Sequence, residues 1–343
     1  THGRPEDSPA RSADRRFAKH VLIVDAVTPT PDQDSGSVDM LNLIRILLDL
    51  GWRVHFIPQT NYGHAGRYTE DLQRLGAECV YFPPYRSLDH YLEENGSLFG
   101  MAILCREPIA KSTFETVRRH LPDAPVVFYT VDLHYLRTER HAQLTNDPAI
   151  AADAADVKAS ELALMRKSDM TILLSEFERD LVAREAPGAA TAVLPLIRDI
   201  PGRKGGYQDR RDVVFIGGFN HPPNIDAVEW LVGEIWPLVR TKLRGAKLKI
   251  CGSNMPQKLR ELCAPHDDIE AVGFIADLAD VFDNCRLSIA PLRFGAGLKG
   301  KLATSFGYGV PCIATGVAVA GMSPEYLEAC RLQGDTPEAL ADL

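Results

Sequence analysis

Two lysines set among glycines are the residues in this chain whose types and spacing most directly suggest chemistry. The stretch "LRFGAGLKGKLATSFGYGVP", Leu292 to Pro311, places Arg293, Gly295, Gly297, Lys299, Gly300 and Lys301 within one short loop. An apolar strand-like run, "RLSIAPL", comes before it, and a helix-like run, "KLATSFGYG", follows. Glycine lets a backbone approach a ligand closely. A helix N-terminus offers unbonded amides and a partial positive charge. With Arg293, Lys299 and Lys301 added, the loop reads as an anion site matched to a diphosphate. The plain alternative is a tight turn carrying surface lysines.

Other stretches could also carry chemistry. "TVDLHYLR" holds Asp132 and His134, which could form an oriented acid–base pair, and Arg137, Arg140 and His141 follow closely. A solvated helix face would explain this cluster, but its place after the apolar run "PVVFYTV" favours a ligand-facing role. "DQD", Asp32 to Asp34, has the form of a DxD metal motif, but it runs into a Gly-Ser loop and reads as a turn or an acceptor contact. No metal is expected. Ser175 before Glu176 reads first as a helix N-cap, with a cleft role as the alternative. Trp52, Trp230 and Trp236 read as packing residues.

These residues need a scaffold, and the pattern supplies one. "HVLIVDA" is a short β-branched run ending in Asp25; "VDMLNLIRILLDLG" has helical spacing and a Gly51 stop; "WRVHFIP" is the next strand. That βαβ unit continues through "ECVYF", "MAILCRE", "APVVFYTVD", "DMTILLS" and "TAVLPLI", giving about seven strands. Their runs are apolar throughout, as parallel strands buried on both faces should be. "RDIPGRKGGYQDRRD" breaks the rhythm with the composition of a linker. The pattern restarts with "VVFIGG", the long helix "NIDAVEWLVGEIWPLVRTKL", then "KLKICG", "IEAVGFI", "RLSIAPL" and "PCIATG". The strands of this half run into Gly217 and Gly218, into Gly252, into Gly273 and Phe274, and into Arg293. The expected class is α/β, with two doubly wound Rossmann-like domains facing across a cleft. The expected divisions are a disordered lead-in over 1–19, an N-terminal domain over 20–197, a linker over 198–211 and a C-terminal domain over 212–343, with C-terminal truncation left open.

The 343 residues suit two such domains. A net charge of -8 argues against nucleic acid as a partner. The seven cysteines, Cys79, Cys105, Cys251, Cys263, Cys285, Cys312 and Cys330, are scattered singly and read as buried free thiols of a reducing compartment. No apolar run reaches the roughly 20 residues a bilayer span needs.

Taken in this order, several stretches resemble the retaining GT-B glycosyltransferases of the family 4 group. "RFGAGLKGKLATSFGYGVPCIAT" is similar to their donor-binding segment, and "VVFIGGFNHPPNIDAVEWLVGEIWPLV" to the first strand and helix of their donor domain. "KSDMTILLSEFERDL" is similar to the segment closing their acceptor-side domain. "PDQDSGSVDMLNLIRILLDLGWRVHFIP" looks like the opening of a subset that builds bacterial surface polysaccharides such as O-antigen. The resemblance runs from His20 to Met322.

The resemblance implies transfer of a sugar from a nucleotide-diphosphate sugar to a hydroxyl of a growing glycan or glycolipid, with retention and without metal or other cofactor. It implies a donor site of Gly217, Gly218, Asn224, Gly252, Phe274, Arg293, Gly295, Gly297, Leu298, Lys299, Lys301 and Thr304. Ser35, Gly36, Ser37, Arg137 and Ser175 fall on the acceptor side. Asp132, His134, Arg293 and Lys299 are the expected catalytic set. It also implies a cytoplasmic protein, peripheral at the inner face of the membrane, and leaves open a place within a larger multi-domain glycosyltransferase. The departures are specific. The family's Glu-x7-Glu carboxylates fall at Ala296 and Thr304, its Arg and Lys after the first donor-domain strand at Gly218 and Pro223, and an acidic residue at Ala320. A glycan-binding module without activity, or a nucleotide-sugar epimerase of the same fold, are the competing readings.

Overall fold

The computed structural model describes residues 19–329 and 333–343. The lead-in up to residue 18 and Cys330 therefore lie outside the described residues. The chain divides into two compact units. The first contains the described residues through Thr30, then 39–135 and 153–194; the second contains 31–38, 136–152 and 195–343.

The first unit holds a parallel sheet of β1 (Lys19–Asp25), β2 (Trp52–Pro58), β3 (Glu78–Cys79), β4 (Phe99–Cys105), β5 (Val126–Tyr129), β6 (Met170–Leu173) and β7 (Thr191–Val193). Their order across the sheet is β3-β2-β1-β4-β5-β6-β7. The helices that connect these strands along the chain are α1 (Ser35–Asp49), α2 (Arg67–Leu75), α3 (Leu88–Asn95), α4 (Glu107–His120), α5 (His134–Thr145), α6 (Pro148–Lys167) and α7 (Glu176–Glu185); the first residues of α1 and α6 and most of α5 count with the second unit. Val21, Leu22, Ile23 and Val24 are completely buried, so the central strand is covered on both faces, as its unbroken apolar run requires.

The second unit has β8 (Asp212–Ile216), β9 (Leu248–Cys251), β10 (Ile269–Gly273), β11 (Cys285–Ala290) and β12 (Cys312–Ala314), all parallel, in the order β10-β9-β8-β11-β12. Its helices are α8 (Pro222–Trp230), α9 (Trp236–Lys242), α10 (Gln257–Cys263), α11 (Ala279–Phe282), α12 (Gly300–Gly307), α13 (Gly316–Val319), α14 (Pro324–Ala329) and α15 (Pro337–Asp342). The single long helix expected after β8 is interrupted by a π-helical turn, Leu231–Ile235, between α8 and α9. Pro237 explains it, because proline has no N–H to give the preceding turn and its ring crowds the carbonyl there. Phe215, Trp236, Ile250 and Leu302 form the centre of this core, and Trp236 Nε1 donates to Asp268 at 2.9 Å.

Residues 198–211 lie along the second unit rather than standing free of it. Gly202 N donates to Gly307 O at 2.9 Å, and the Arg210 guanidinium donates to Tyr308 O and Gly309 O at the end of α12. The six described cysteines are free, and five of them are buried. The architecture is the α/β, doubly wound class that the sequence predicts. No helix among the described residues is long and apolar enough to cross a membrane.

Candidate functional site

In an open parallel sheet the strand order reverses at one point, and the loops leaving the carboxyl ends of the two strands there splay apart to make a ligand crevice. In the second unit that point lies between β8 and β11. The loops leaving these strands are "GGFNHPPN" and the Gly-Lys stretch with which the sequence analysis began.

The loop after β8 is shaped by contacts of its own backbone. A Cβ on Gly217 would lie 2.7 Å from Asn224 Cγ, and one on Gly252 would lie 1.9 Å from Gly217 O. Gly252 also has a φ of 155°. These glycines therefore let β8, β9 and the start of α8 cross at close range. Asn224 ties the crossing to the next loop: its Nδ2 donates to Gly218 O at 2.7 Å, and its Oδ1 accepts from Lys301 Nζ at 2.7 Å.

Lys301 stands in the first turn of α12. Its ammonium sits 4.3 Å over the Phe215 ring. Loss of solvation there pulls its pKa down to about 7, with nearby Lys299 adding to the fall and Cys312 opposing it. An amine so placed gains its full charge when an anion arrives to replace the missing solvation. No side chain caps the N-terminus of α12. Its first amides and Lys301 thus share one end of the helix.

Lys299 behaves differently. Its Nζ folds back onto Ala296 O and Gly297 O, each at 2.6 Å, holding the loop in a tight coil. Gly297 has a φ of 68°, a conformation that favours glycine. Arg293 turns toward α8, where Asp226 grips its guanidinium through both carboxylate oxygens, and its charge lies 5.4 Å over the Trp230 ring. The Asp226 hydrogen bond raises its pKa further. Leu298 and Thr304 are half-buried along the same stretch, while Phe274 is exposed beyond the edge strand β10. The structure thus joins Gly217, Gly218, Asn224, Gly252 and Lys301 directly, groups Gly295, Gly297 and Lys299 in the adjoining coil, and pairs Arg293 with α8.

The expected acceptor-side residues take several places. Ser37 N and Oγ both donate to Asp34, whose carboxylate so caps the start of α1; this gives the "DQD" aspartate a local structural role. Ser35 Oγ receives the Arg198 guanidinium, and Gly36 follows it in the first turn of α1. A Cβ on Gly300 would overlap Ser35 Oγ at 1.8 Å. Arg137 is half-buried in α5. Ser175 is an N-cap: its Oγ accepts from Glu178 N at 3.2 Å, and Glu178 accepts from Leu174 N at 2.9 Å.

The first unit has its own switch point, between β1 and β4. Asp25 ends β1 and is buried; Arg106, just past β4, donates to its Oδ1 at 2.8 Å. Asp25 drives the guanidinium pKa above its ordinary value. Beyond the neighbouring strand β5, His134 Nε2 lies 3.2 Å from Asp132 Oδ1, the oriented pair that the sequence suggests. Val131 before it has a φ of 66°, a strained conformation for a β-branched residue. Glu161, fully buried on α6, accepts the N–H of His134 at 3.3 Å and of Tyr135 at 3.1 Å, fixing the start of α5. Burial raises its carboxyl to about 8, against those two hydrogen bonds and with Asp132 adding to the rise. Sequence reasoning missed Arg106, Glu161 and Asp226. Arg106 had a signal, being a charge at the end of an apolar strand; Glu161 and Asp226 sit in ordinary helix sequence and had none.

Comparison with known proteins bears on the second unit first. Residues 210–343 match the family model of glycosyl transferases group 1. The matched segment contains Gly217, Asn224, Gly252, Lys299 and Lys301. No curated protein matches the sequence. Among solved structures, a TarM mutant from S. aureus in complex with fondaparinux, alpha-GlcNAc-glycerol and UDP is similar at 10% identity and a TM-score of 0.70, covering 94% of this chain and 91% of that one. Sucrose-phosphate synthase from Thermosynechococcus elongatus is similar at 13% identity and a TM-score of 0.68, covering 94% and 88%. Anabaena HepE in complex with UDP and glucose is similar at 13% identity and a TM-score of 0.61, covering 88% and 82%. At such identities the likeness is one of fold, the GT-B arrangement of two parallel-sheet Rossmann-like domains.

Proposed function

We propose that this protein is a glycosyltransferase that moves a sugar from a nucleoside-diphosphate sugar to a hydroxyl of a growing glycan, with retention of configuration. The observation that carries the reading is Lys301. It is a desolvated amine at the N-terminus of α12, held by Asn224 beside the glycines of the switch point, inside the segment that matches glycosyl transferases group 1. A departing diphosphate would find there a cation, helix amides and backbone able to approach closely. UDP-sugars are the first donors to test, because similar folds from Anabaena and S. aureus hold UDP.

In the proposed reaction the bond from the sugar's anomeric carbon to the diphosphate oxygen breaks, and the acceptor oxygen bonds to that carbon on the same face. The acceptor proton passes to the departing diphosphate. Lys301, Asn224 and the α12 amides neutralise the leaving group, with the coil braced by Lys299 presenting further backbone. Arg293 orients α8 through Asp226. Asp132 and His134 are assigned to the sugars. The lysine and helix terminus supply positive charge at the leaving group, so no divalent ion is invoked.

A thermal-shift panel of UDP, GDP, CDP and dTDP tests the donor site. A nucleotide at a hundred times its Kd adds about 2.7 kcal/mol of apparent stability. No shift with any of the four overturns the reading. Product NMR then reads the anomeric configuration, and loss of turnover in chelator with rescue by magnesium or manganese would refute metal independence. One observation favours a binding module instead: Lys299 is spent on its own loop carbonyls, where a catalytic cation would face substrate. Nucleotide binding without any turnover or donor hydrolysis would decide for that module.

A further inference from the structure

Two cations hold the coil between β11 and α12, and one of them comes from elsewhere in the chain. Lys299 Nζ donates to Ala296 O and Gly297 O, each at 2.6 Å. The carbonyl before them, Gly295 O, accepts from Arg140 Nη1 at 2.6 Å, across 155 residues of sequence. Arg140 lies on α5, which from Leu136 onward belongs to the second unit, as the coil does. The next residue, His141, lays its ring flat on that of Phe294, with 4.4 Å between centroids and 13° between planes. Phe294 is buried. The reaction proposed above uses neither Arg140 nor His141.

Three consecutive carbonyls of the coil therefore end on cations. In a trans peptide, as each of these is, the N–H of the following residue points opposite to the carbonyl. Holding Gly295 O, Ala296 O and Gly297 O thus turns the N–H groups of Ala296, Gly297 and Leu298 away from the two cations. None of these three amides has an acceptor among the described residues. Gly297 and Leu298 keep part of their surface open. Successive unbonded amides attract an anion, whereas carbonyls turned toward it would repel it.

The coil has little stiffness of its own. Gly295 and Gly297 stand at φ of 143° and 68°, so both neighbours of Ala296 are glycines in conformations that other residues rarely adopt. Lys299 fixes the second and third peptides from within. The first, which leads the chain into the coil, is fixed by Arg140.

We propose that Arg140 is a positioning residue of the donor site: by holding Gly295 O it sets the run of amides from Ala296 to Leu298 toward the diphosphate, and His141 steadies that hold by pinning Phe294. The inference rests on the glycosyltransferase reading for the identity of the anion. Arg140 acts through the backbone, from the carbonyl side of the coil, and touches no substrate.

Titration calorimetry on the full chain tests this, with whichever of UDP, GDP, CDP and dTDP raises the parent's melting temperature. Arg140→Ala should weaken that diphosphate about tenfold, the effect of one charge-assisted hydrogen bond. Arg140→Lys, which keeps a cationic donor, should recover most of the loss. His141→Ala should weaken binding about threefold, and His141→Phe, which keeps a flat ring on Phe294, should bind as the parent does. The matching nucleoside, followed by saturation-transfer NMR, should bind Arg140→Ala and the parent alike, because it carries no phosphate for the amides. Melting curves check each fold. Should Arg140→Ala melt early, Arg140→Gln, which keeps the stem and a neutral donor, serves in its place. The role of Arg140 is overturned if its variants bind the diphosphate as tightly as the parent, if Arg140→Lys is as weak as Arg140→Ala, or if the nucleoside weakens by the same factor as the diphosphate. A parent chain that binds none of the four nucleotides overturns the glycosyltransferase reading itself, and this inference with it.

Discussion

At the switch point of the first sheet, Asp25 and Arg106 close on each other; at that of the second, the ammonium of Lys301 meets an amide oxygen and a phenyl face. The two sheets share handedness, parallel order and the place where the order reverses. They differ in whether charge at that place is matched. A matched pair fixes backbone and contributes to folding, but has no attraction left over for an anion. A lysine with poor solvation weakens the empty fold and attracts an anionic ligand in return. Topology makes the crevice, and the side chains on its two loops decide between scaffold and binding site.

The comparison breaks hardest at Asp25. Asp25→Asn should leave the half-buried Arg106 guanidinium without its carboxylate and destabilise the chain by about 1–3 kcal/mol, measured by denaturant unfolding. A loss near zero would mean that the first switch point is not held by charge.

Lys301→Met should do the opposite. Nucleotide affinity should fall by one to two powers of ten, since charge-assisted hydrogen bonds contribute roughly 1.5–3 kcal/mol each. The unliganded chain should meanwhile become more stable at neutral pH. The folded-state pKa of about 7 lies below the ordinary 10.5, so the unfolded chain binds the extra proton between those values and the parent's stability climbs with pH across that window. The gain from Lys301→Met should therefore be largest below pH 7 and gone above pH 10.5. Melts across this range would show it, and a gain that does not vary with pH would refute the desolvation argument.

Nucleotide binding above pH 7 should draw in a proton, because the diphosphate raises the lysine's pKa. Calorimetry in buffers of different ionisation enthalpy should find uptake in the parent chain and none in Lys301→Met. Affinity should weaken as pH rises through 7. Smaller effects belong to residues already engaged elsewhere. Lys299→Ala should cost about tenfold or less in nucleotide affinity by titration calorimetry, through a loosened coil rather than a lost phosphate contact. Lys247→Ala, on an exposed pair with Glu270 before β9 and so at the opposite edge of the sheet, should leave nucleotide binding unchanged.

The fold was legible because its signal is long-range and repetitive: apolar runs at regular spacing, interrupted at residues 198–211. The loops of the proposed donor site were legible because Gly217, Gly252, Gly297 and Lys301 are unusual where they stand. What could not be read was direction. Lys299, Lys301 and Arg293 are equivalent cations in a string of letters. Two of them turn to partners that residue type does not mark, Lys299 to carbonyls of its own coil and Arg293 to Asp226 on a helix about seventy residues away. Strand ends were lost for a similar reason. "ECVYF" supplies only Glu78–Cys79 to the sheet, because pairing with β2 stops there and the chain turns into the loop with Tyr81 and Phe82.

The crossing of Gly217 and Gly252 bears on redesign. A methyl group on Gly252 would run into the Gly217 carbonyl, and one on Gly217 into the Asn224 side chain, so a mutational library opened at these two positions would return mostly the parent residues. On the proposed reading, variation in donor preference has to come from side chains on the neighbouring loops that do not build the crossing. Phe274, exposed beyond the edge strand, and Leu298, half-buried in the coil, are such positions. A protein engineer would then find a rigid floor and a permissive rim, and could exchange the rim without asking the fold for anything.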